Sequence, residues 1–452
     1  MRKTVDPQLP LPETDSNHKK VQELSKISDI LDENRNIYDM VAQDLVVPEN
    51  KSGAKGMTAE QVLRSAIIKQ MEGYSYEDLA FHLEDSAAYR TFCRFSYGEV
   101  YAKSTLHGNI KKLTPHTWEE INRVILQYAE KKGVEKGRKA RIDCTVVESN
   151  IHTPWDSELL VDSIRVLVRL MLRIMEDAPD MQFCFQNHNR RAKRRHLEIM
   201  NAKKGQEKRR KKAYKDLIKI TENTVRYAES ALKALNEYQA GDLMQIACLE
   251  SVKAEIEHYL PLVRQVICQT TRRVLDGEKV AASDKLFSIF EEHTDIIIKD
   301  NRDTYYGHKV CFTGGASNLI LDCVILDGNP ADSTLTVDMI KRQAELYNRP
   351  PLKVALDGGF VSKNNLKKVK DMGVKDVCFS KGRGLEEKDM CRSSYVYGML
   401  RKFRAGIESG ISWLKRAFNL DRCTWKGLES FKSYVWSSVV SANLLTLARQ
   451  LL

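Results

Sequence analysis

Between Val21 and Leu126 apolar residues recur at spacings of three and four, which predicts a run of helices. Thr58-Ala-Glu-Gln reads as a cap leading into Val62, Leu63, Ile67 and Ile68. Gly73 ends that helix, and Ser75 begins the next, with Leu79, Ala80 and Leu83 facing inward. Short helices joined by a Gly-containing turn suggest a helix-turn-helix unit, a hairpin that plain bundles also use. At Lys139 the period changes: Ile142, Cys144 and Val146 alternate with their neighbours up to Ile151, predicting a strand that carries Asp143. The helical period then returns in the dense apolar stretch Leu160 to Ile174 and in Tyr214, Leu217, Val225, Ala228, Leu232 and Leu235. Gly241-Asp242 interrupts it, and Val252, Ile256, Tyr259, Val263 and Ile267 form a second arm, so an antiparallel helical hairpin is expected.

From about Thr304 the chain is strand-like again. Tyr305 to Phe312, a Gly314-Gly315 turn and Leu319 to Leu326 predict a β-hairpin. Thr334 to Leu346 reads as a helix, Leu352 to Leu356 as a short strand ending in Asp357-Gly358-Gly359, Ser362 to Met372 as a helix and Val374 to Phe379 as a strand. Tyr397 to Phe418 and Leu428 to Leu452 are amphipathic. Without its helical insert, the order from residue 139 is β-β-β-α-β-α-β-α, that of a ribonuclease-H-like domain. The expected fold is therefore α/β: a ribonuclease-H-like mixed sheet flanked by helices, with an all-helical N-terminal domain and a long helical insertion after the first strand. The predicted division is a flexible tail over 1–16, a helical DNA-binding or dimerisation domain over 17–135, and a catalytic domain over 136–452 interrupted by the insertion at 155–290.

At 452 residues the chain is long enough for about two to three domains, and 42% apolar residues supply a core. No run of about 18 uncharged apolar residues exists and the N-terminus lacks an apolar stretch, which argues against membrane insertion and for a cytoplasmic protein. Ten cysteines without a C-x-x-C pair form neither a zinc ribbon nor a redox motif and are expected to be reduced thiols. The net charge of +11 is matched by one stretch, Arg190 to Lys215, with thirteen Lys/Arg against two Glu. Its residues Arg190, Arg191, Arg194, Arg195, Arg209 and Arg210 are candidates for a polyanion partner, because neutralised phosphates release counterions. A solvated helix face or a basic loop is the plain alternative.

Asp143 interrupts an apolar strand, and Asp357 follows Val354-Ala355-Leu356 directly before two glycines. Unpaired anions there would cost several kcal/mol without a metal or basic partner. In the expected topology Asp143, Asp357 and Glu408 converge at one edge of the sheet. Such a cluster can hold two divalent metals during phosphodiester displacement, and oxygen-only ligands favour Mg²⁺, with Mn²⁺ possible. Other motifs carry less. Gly382-Arg383-Gly384 lacks the remainder of a phosphate loop and reads as a turn. His188 and His196 have no ligand pattern, Trp413 lies at core spacing beside Ile407 and Ile411, and His308 reads as a satisfied strand histidine.

From about residue 59 to the C-terminus the chain resembles bacterial insertion-sequence transposases of the DDE type. The resemblance rests on AEQVLRSAIIKQMEGYSYEDLAFHLEDSAAYRTF with Ser104-Thr105-Leu106, on Asp143-Cys-Thr, on Tyr306-Gly307-His308-Lys309 and, most specifically, on Leu356-Asp357-Gly358-Gly359-Phe360. Arg404-x3-Glu408-x6-Lys415 is similar to the family's signature helix. The resemblance implies that Asp143, Asp357 and Glu408 are the catalytic, metal-binding triad, and that Arg404 and Lys415 touch DNA phosphates; Lys309, in a matched block, is placed with them. Implied partners are double-stranded DNA, as terminal inverted repeats and target, and a second copy of the chain in a homodimer or higher homo-oligomer. The implied activity is cleavage at element ends with strand transfer, in a protein associated with the bacterial nucleoid. The chain departs from the family at Arg401, where the signature has Tyr, and in the insertion of about 150 residues after the first strand. The charge of that insertion suggests a grip on DNA or on a partner subunit. A catalytically silent or domesticated DNA-binding relative is the alternative, and a cationic scaffold for an acidic protein is a third reading.

Overall fold

The computed structural model describes residues 4, 17–45, 56–96, 98–239, 241–299 and 303–452. The tail expected over 1–16 lies, apart from residue 4, outside them. Seven helices come first: α1 (Lys19–Glu33), α2 (Asn36–Leu45), α3 (Ala59–Glu72), α4 (Tyr76–Asp85), α5 (Ala87–Phe92), α6 (Lys103–Ile110) and α7 (Pro115–Lys131). Strand β1 (Lys139–Glu148) follows, then α8 (Asp156–Asp177), α9 (Asn189–Met200), α10 (Glu207–Glu237) and α11 (Leu243–Thr270). The remainder comprises β2 (Asp295–Lys299), β3 (Asp303–Gly314), β4 (Ile320–Ile325), α12 (Asp332–Leu346), β5 (Lys353–Leu356), α13 (Lys363–Asp371), β6 (Asp376–Phe379), α14 (Glu387–Met390), α15 (Ser394–Ala417) and α16 (Leu428–Leu451). No helix among the described residues is long and apolar enough to cross a membrane.

The chain divides into two compact units, one built from 1–150 and 297–452, the other from 151–296. In the first, the sheet order is β2-β3-β1-β5-β6, with β4 also paired to β3. β3 is antiparallel to β1 and β4, whereas β1, β5 and β6 are mutually parallel, so the sheet is mixed and ribonuclease-H-like. β2, three isoleucines between Asp295 and Lys299, is a strand that sequence periodicity did not mark. β1 ends at Glu148 rather than Ile151; beyond it, Glu148 pairs with the segment 421–423 through its N–H and carbonyl.

Helix boundaries have local causes. Thr58 and Ser75 each close a capping box with the residue three positions on, and Gly73, in the left-handed conformation at φ +68°, ends α3. α16 is apolar or small almost all round and is buried along nearly its whole length, as a helix without a polar face must be. One core joins it to α1, α2, α3 and α7 and to Phe312 and Ile320 of the sheet. Asn443 ties α16 to the edge strand: its Oδ1 accepts from Ile320 N at 2.8 Å, and its Nδ2 donates to Ile320 O at 2.7 Å and Asn122 Oδ1 at 2.8 Å.

The second unit is a bundle of α8, α9, α10 and α11 around its own core, including Ile164, Leu167, Leu217, Ile256 and Val263. The expected hairpin of α10 and α11 is therefore two members of a four-helix arrangement. α8 supplies a third apolar face, and the basic stretch breaks at 201–206 into α9 and the start of α10.

Asn443→Ala leaves both backbone groups of Ile320 buried without their partner. It should lower unfolding free energy by about 2–4 kcal/mol in urea titration, whereas removal of the half-buried Lys432, paired with the exposed Glu429, should change it by less than about 1 kcal/mol.

Candidate active site

The register of the three parallel strands decides which side chains meet. Ile142 pairs with Leu356, and Leu356 with Phe379. The next residues on the three strands are Asp143, Asp357 and Ser380, so three polar side chains emerge side by side where β5 and β6 end. The Ser380 hydroxyl donates to Asp357 Oδ1 at 2.7 Å. Gly358 and Gly359 are required by close approach: a Cβ on the first would lie 2.9 Å from Lys381 Cβ, and on the second 2.6 Å from Asp332 Oδ2.

α15 buries Val396, Leu400, Ile407, Ile411 and Leu414, which leaves Arg404 and Glu408, one turn apart, beside the strand ends. Arg141, two residues before Asp143 on the same face of β1, fixes the helix there. Its Nη1 donates to Phe403 O at 3.1 Å, its Nη2 to Asn318 Oδ1 at 2.7 Å, and its guanidinium lies 4.8 Å from the Phe403 ring centroid. Gly406 makes room for it, since a Cβ there would sit 1.8 Å from Arg141 Nη1.

The carboxylates then gather on a single atom. Arg404 Nη2 lies 2.6 Å from Glu408 Oε1, 3.2 Å from Asp357 Oδ1 and 3.7 Å from Asp143 Oδ2. The two aspartates differ in environment. Burial pushes the Asp143 carboxyl up to about 6, although the Cys144 N–H and Arg404 favour its charged form and Asp357 and Glu408 oppose it. For Asp357, burial acts upward too, but Ser380, the N–H groups of Gly358 and Gly359 and Arg404 outweigh it and hold the carboxyl below its ordinary value. The donor set is oxygen only, arranged around a positive group, and its most buried member favours protonation where no stronger cation is at hand. It fits a hard divalent ion such as Mg²⁺ or Mn²⁺. Among the described residues no three His, Cys, Asp or Glu side chains are already arranged to hold a metal ion; at this cluster the guanidinium takes the central position.

Two family models match the chain: one described as a transposase DDE domain, over residues 269–444, and one described as a transposase domain (DUF772), over residues 12–112. The chain belongs to the insertion-sequence DDE transposases. No curated protein and no solved structure matches it. Asp357 and Glu408 fall inside the matched DDE segment, whereas Asp143 lies outside both, and it is the pairing of β1 with β5 that brings it to them.

The remaining residues expected at the transposase's site take varied positions. Lys309 is committed to Asp332 Oδ1 at 2.6 Å and Pro330 O at 2.7 Å. Lys415 lies on the same face of α15 as Glu408 and pairs with Asp421 at 3.0 Å. In the second unit Arg191 pairs with Asp216, Arg195 with Glu198 and Asp216, and Arg209 with Glu198. Arg190, Arg194 and Arg210 are exposed and pair with no carboxylate among the described residues. His308 is buried edge-on to Phe431 at 4.9 Å, Trp413 packs edge-on to Phe418, and His196 bonds Ser157. All ten cysteines are free. Sequence reasoning did not single out Arg141, Ser380 or Gly406. Their partners lie on other elements, and the one available signal was Arg141, an arginine on the same strand face as the candidate aspartate.

Between about pH 4 and 6 the folded transposase holds a proton on Asp143 that the unfolded chain releases, so this group's contribution to stability falls as pH rises through that window. By pH 7 the cost reaches about 3 kcal/mol. With EDTA present, Asp143→Asn should therefore unfold at higher urea than the parent at pH 7.5, by about 1–3 kcal/mol, and match it near pH 4. Equal stabilities at pH 7.5 would contradict the burial cost.

Proposed function

We propose that this transposase cleaves DNA at the ends of an insertion sequence and joins the freed ends to target DNA, with Asp143, Asp357 and Glu408 as its metal-binding triad. The observation that carries this reading is the meeting of those three carboxylates on one guanidinium where β5 ends beside β1. Two divalent ions bound there, Mg²⁺ or Mn²⁺, would activate the attacking oxygen and stabilise the leaving one. Asp143 and Asp357, fixed on adjacent strands, and Glu408, on a helix pinned by Arg141, form a rigid cradle, as in-line attack requires. Water breaks the phosphodiester at the element end and leaves a 3′-hydroxyl. That hydroxyl attacks a target phosphodiester, and its proton leaves as the new P–O bond replaces the old one. Neither displacement needs a covalent enzyme intermediate.

Arg404 has a planar fork that matches phosphate as well as carboxylate, so it can exchange the acids for the DNA backbone; Lys415 offers a point charge about three turns further along the same face. The helices over 17–135 are assigned to recognition of the terminal inverted repeats and to dimerisation, and the basic α9–α10 segment to sequence-independent contact with DNA, its exposed Arg190, Arg194 and Arg210 pairing with no carboxylate among the described residues and so able to take phosphates. Pairing two element ends calls for at least a homodimer, working at the bacterial nucleoid.

Asp357→Asn should reduce nicking of end-bearing duplex by at least about a thousandfold in Mg²⁺, a barrier increase of about 4 kcal/mol, while DNA affinity stays within about threefold. Wild-type cleavage by this variant would refute the site assignment. Full DNA binding by the parent protein with no cleavage in Mg²⁺ or Mn²⁺ would mark it as a silent relative.

A further inference from the structure

The carboxylates open onto two cavities. The smaller, about 450 Å³, extends from Asp143 and Asp357 past Gly358 to Lys381 and Arg383. The larger, about 640 Å³, extends from Asp143 and Glu408 along α15 to Lys415 and Arg416. Both include Asp143, Cys144, Thr145, Lys299 and Glu408, so they are two arms of one cleft with the acids at the junction.

The charges along this cleft alternate in a way that its own folding does not require. Lys299, Lys381 and Arg383 are exposed and pair with no carboxylate among the described residues. Arg383 sits in a tight turn, at φ +42° and followed by Gly384 at φ +89°, that places it on the cleft wall. On the other arm, Arg416 is exposed, and Lys415 pairs, among the described residues, with Asp421, whose side chain is 70% exposed; such a pair contributes little and is readily exchanged for another anion. The junction carries three acids against Arg404 and Lys299, and the smaller arm also holds the paired Lys309 and Asp332; the acids by themselves repel a polyanion. A strand whose bond is cut at the junction is covalently continuous on both sides of it, so it must leave by two exits. The cations stand along both.

We propose that the cleft is a track for a single DNA strand, in which Lys381 and Arg383 hold phosphates on the side of the cleaved bond opposite to Lys415 and Arg416, with Lys299 contributing at the junction. The inference rests on the cleavage reading above and goes beyond it by assigning the arm formed by Lys299, Lys381 and Arg383, which neither the family models nor the signature helix mark out.

The test is the salt dependence of binding by the full chain to a fluorescein-labelled oligothymidylate of about 20 nucleotides, read by anisotropy over about 50–300 mM KCl. Each phosphate contact adds about 0.7 to the slope of log affinity against log salt for single strands. Lys381→Ala with Arg383→Ala should lower the slope by about 1.4, and Lys299→Ala by about 0.7. Lys367→Ala with Lys368→Ala, exposed on α13 and outside both cavities, is the control and should leave it unchanged. All are surface side chains, and an unaltered melting temperature checks that each variant folds. Slopes for the cleft variants equal to the control would overturn the track. That failure is distinct from failure of the cleavage reading, which Asp357→Asn decides by nicking whatever the slopes.

Discussion

Three carboxylates gathered within 4 Å of one guanidinium nitrogen repel one another, and burying one of them adds a desolvation cost, so the arrangement persists only with a cation in its midst. Arg404 is that cation in the protein alone. Its reach to Glu408, Asp357 and Asp143 explains why the strand ends can be crowded with acid without the sheet parting at that edge. It also makes the site a place of exchange, in which a guanidinium, a metal ion and a phosphate backbone compete for overlapping partners. The asymmetry between Asp143, raised, and Asp357, lowered, follows from what surrounds each: an apolar strand interior for one, a serine hydroxyl and two glycine N–H groups for the other.

The parts of this arrangement that could be read from sequence are those with local signals. An acid inside an alternating apolar strand, an acid before a glycine pair and an acid on an amphipathic helix each stand out within a few residues. The parts that could not be read are long-range. Nothing near Ser380 shows that Phe379 stands level with Leu356 and hence that Ser380 faces Asp357. Nothing near Gly406 shows that the guanidinium of Arg141, over two hundred residues away in sequence, occupies the space of its missing side chain. Three consecutive isoleucines in β2 fit a buried helix turn as well as a strand, and only the edge of β3 decides between them. In the bundle, the pairing of α10 with α11 followed from the break at Gly241-Asp242, but the packing of α8 and α9 against them depends on faces that periodicity does not match to partners.

The division of labour between the two family matches and the structure follows the same line. The matched segments carry most of the helical N-terminal region and the strands after β1. The first aspartate lies in a strand followed by an insertion, outside both, and its membership of the triad is a matter of strand register. Register is insensitive to what the chain does between strands, which is why a four-helix bundle can intervene without moving Asp143.

The discontinuity of the first unit has a consequence for how the protein is made. At a synthesis rate of about 5–20 residues per second, about 8 to 30 seconds separate the emergence of β1 from that of β3. Throughout that interval a strand with no neighbour waits on the ribosome while the helices of the insertion, whose contacts are closer in sequence, can form. The N-terminal helices wait longer still, because α16, which begins about 300 residues after α7 ends, completes their core. Apolar surface on α1, α3 and α7 is thus uncovered until α16 has emerged, an interval in which such surface is open to wrong partners.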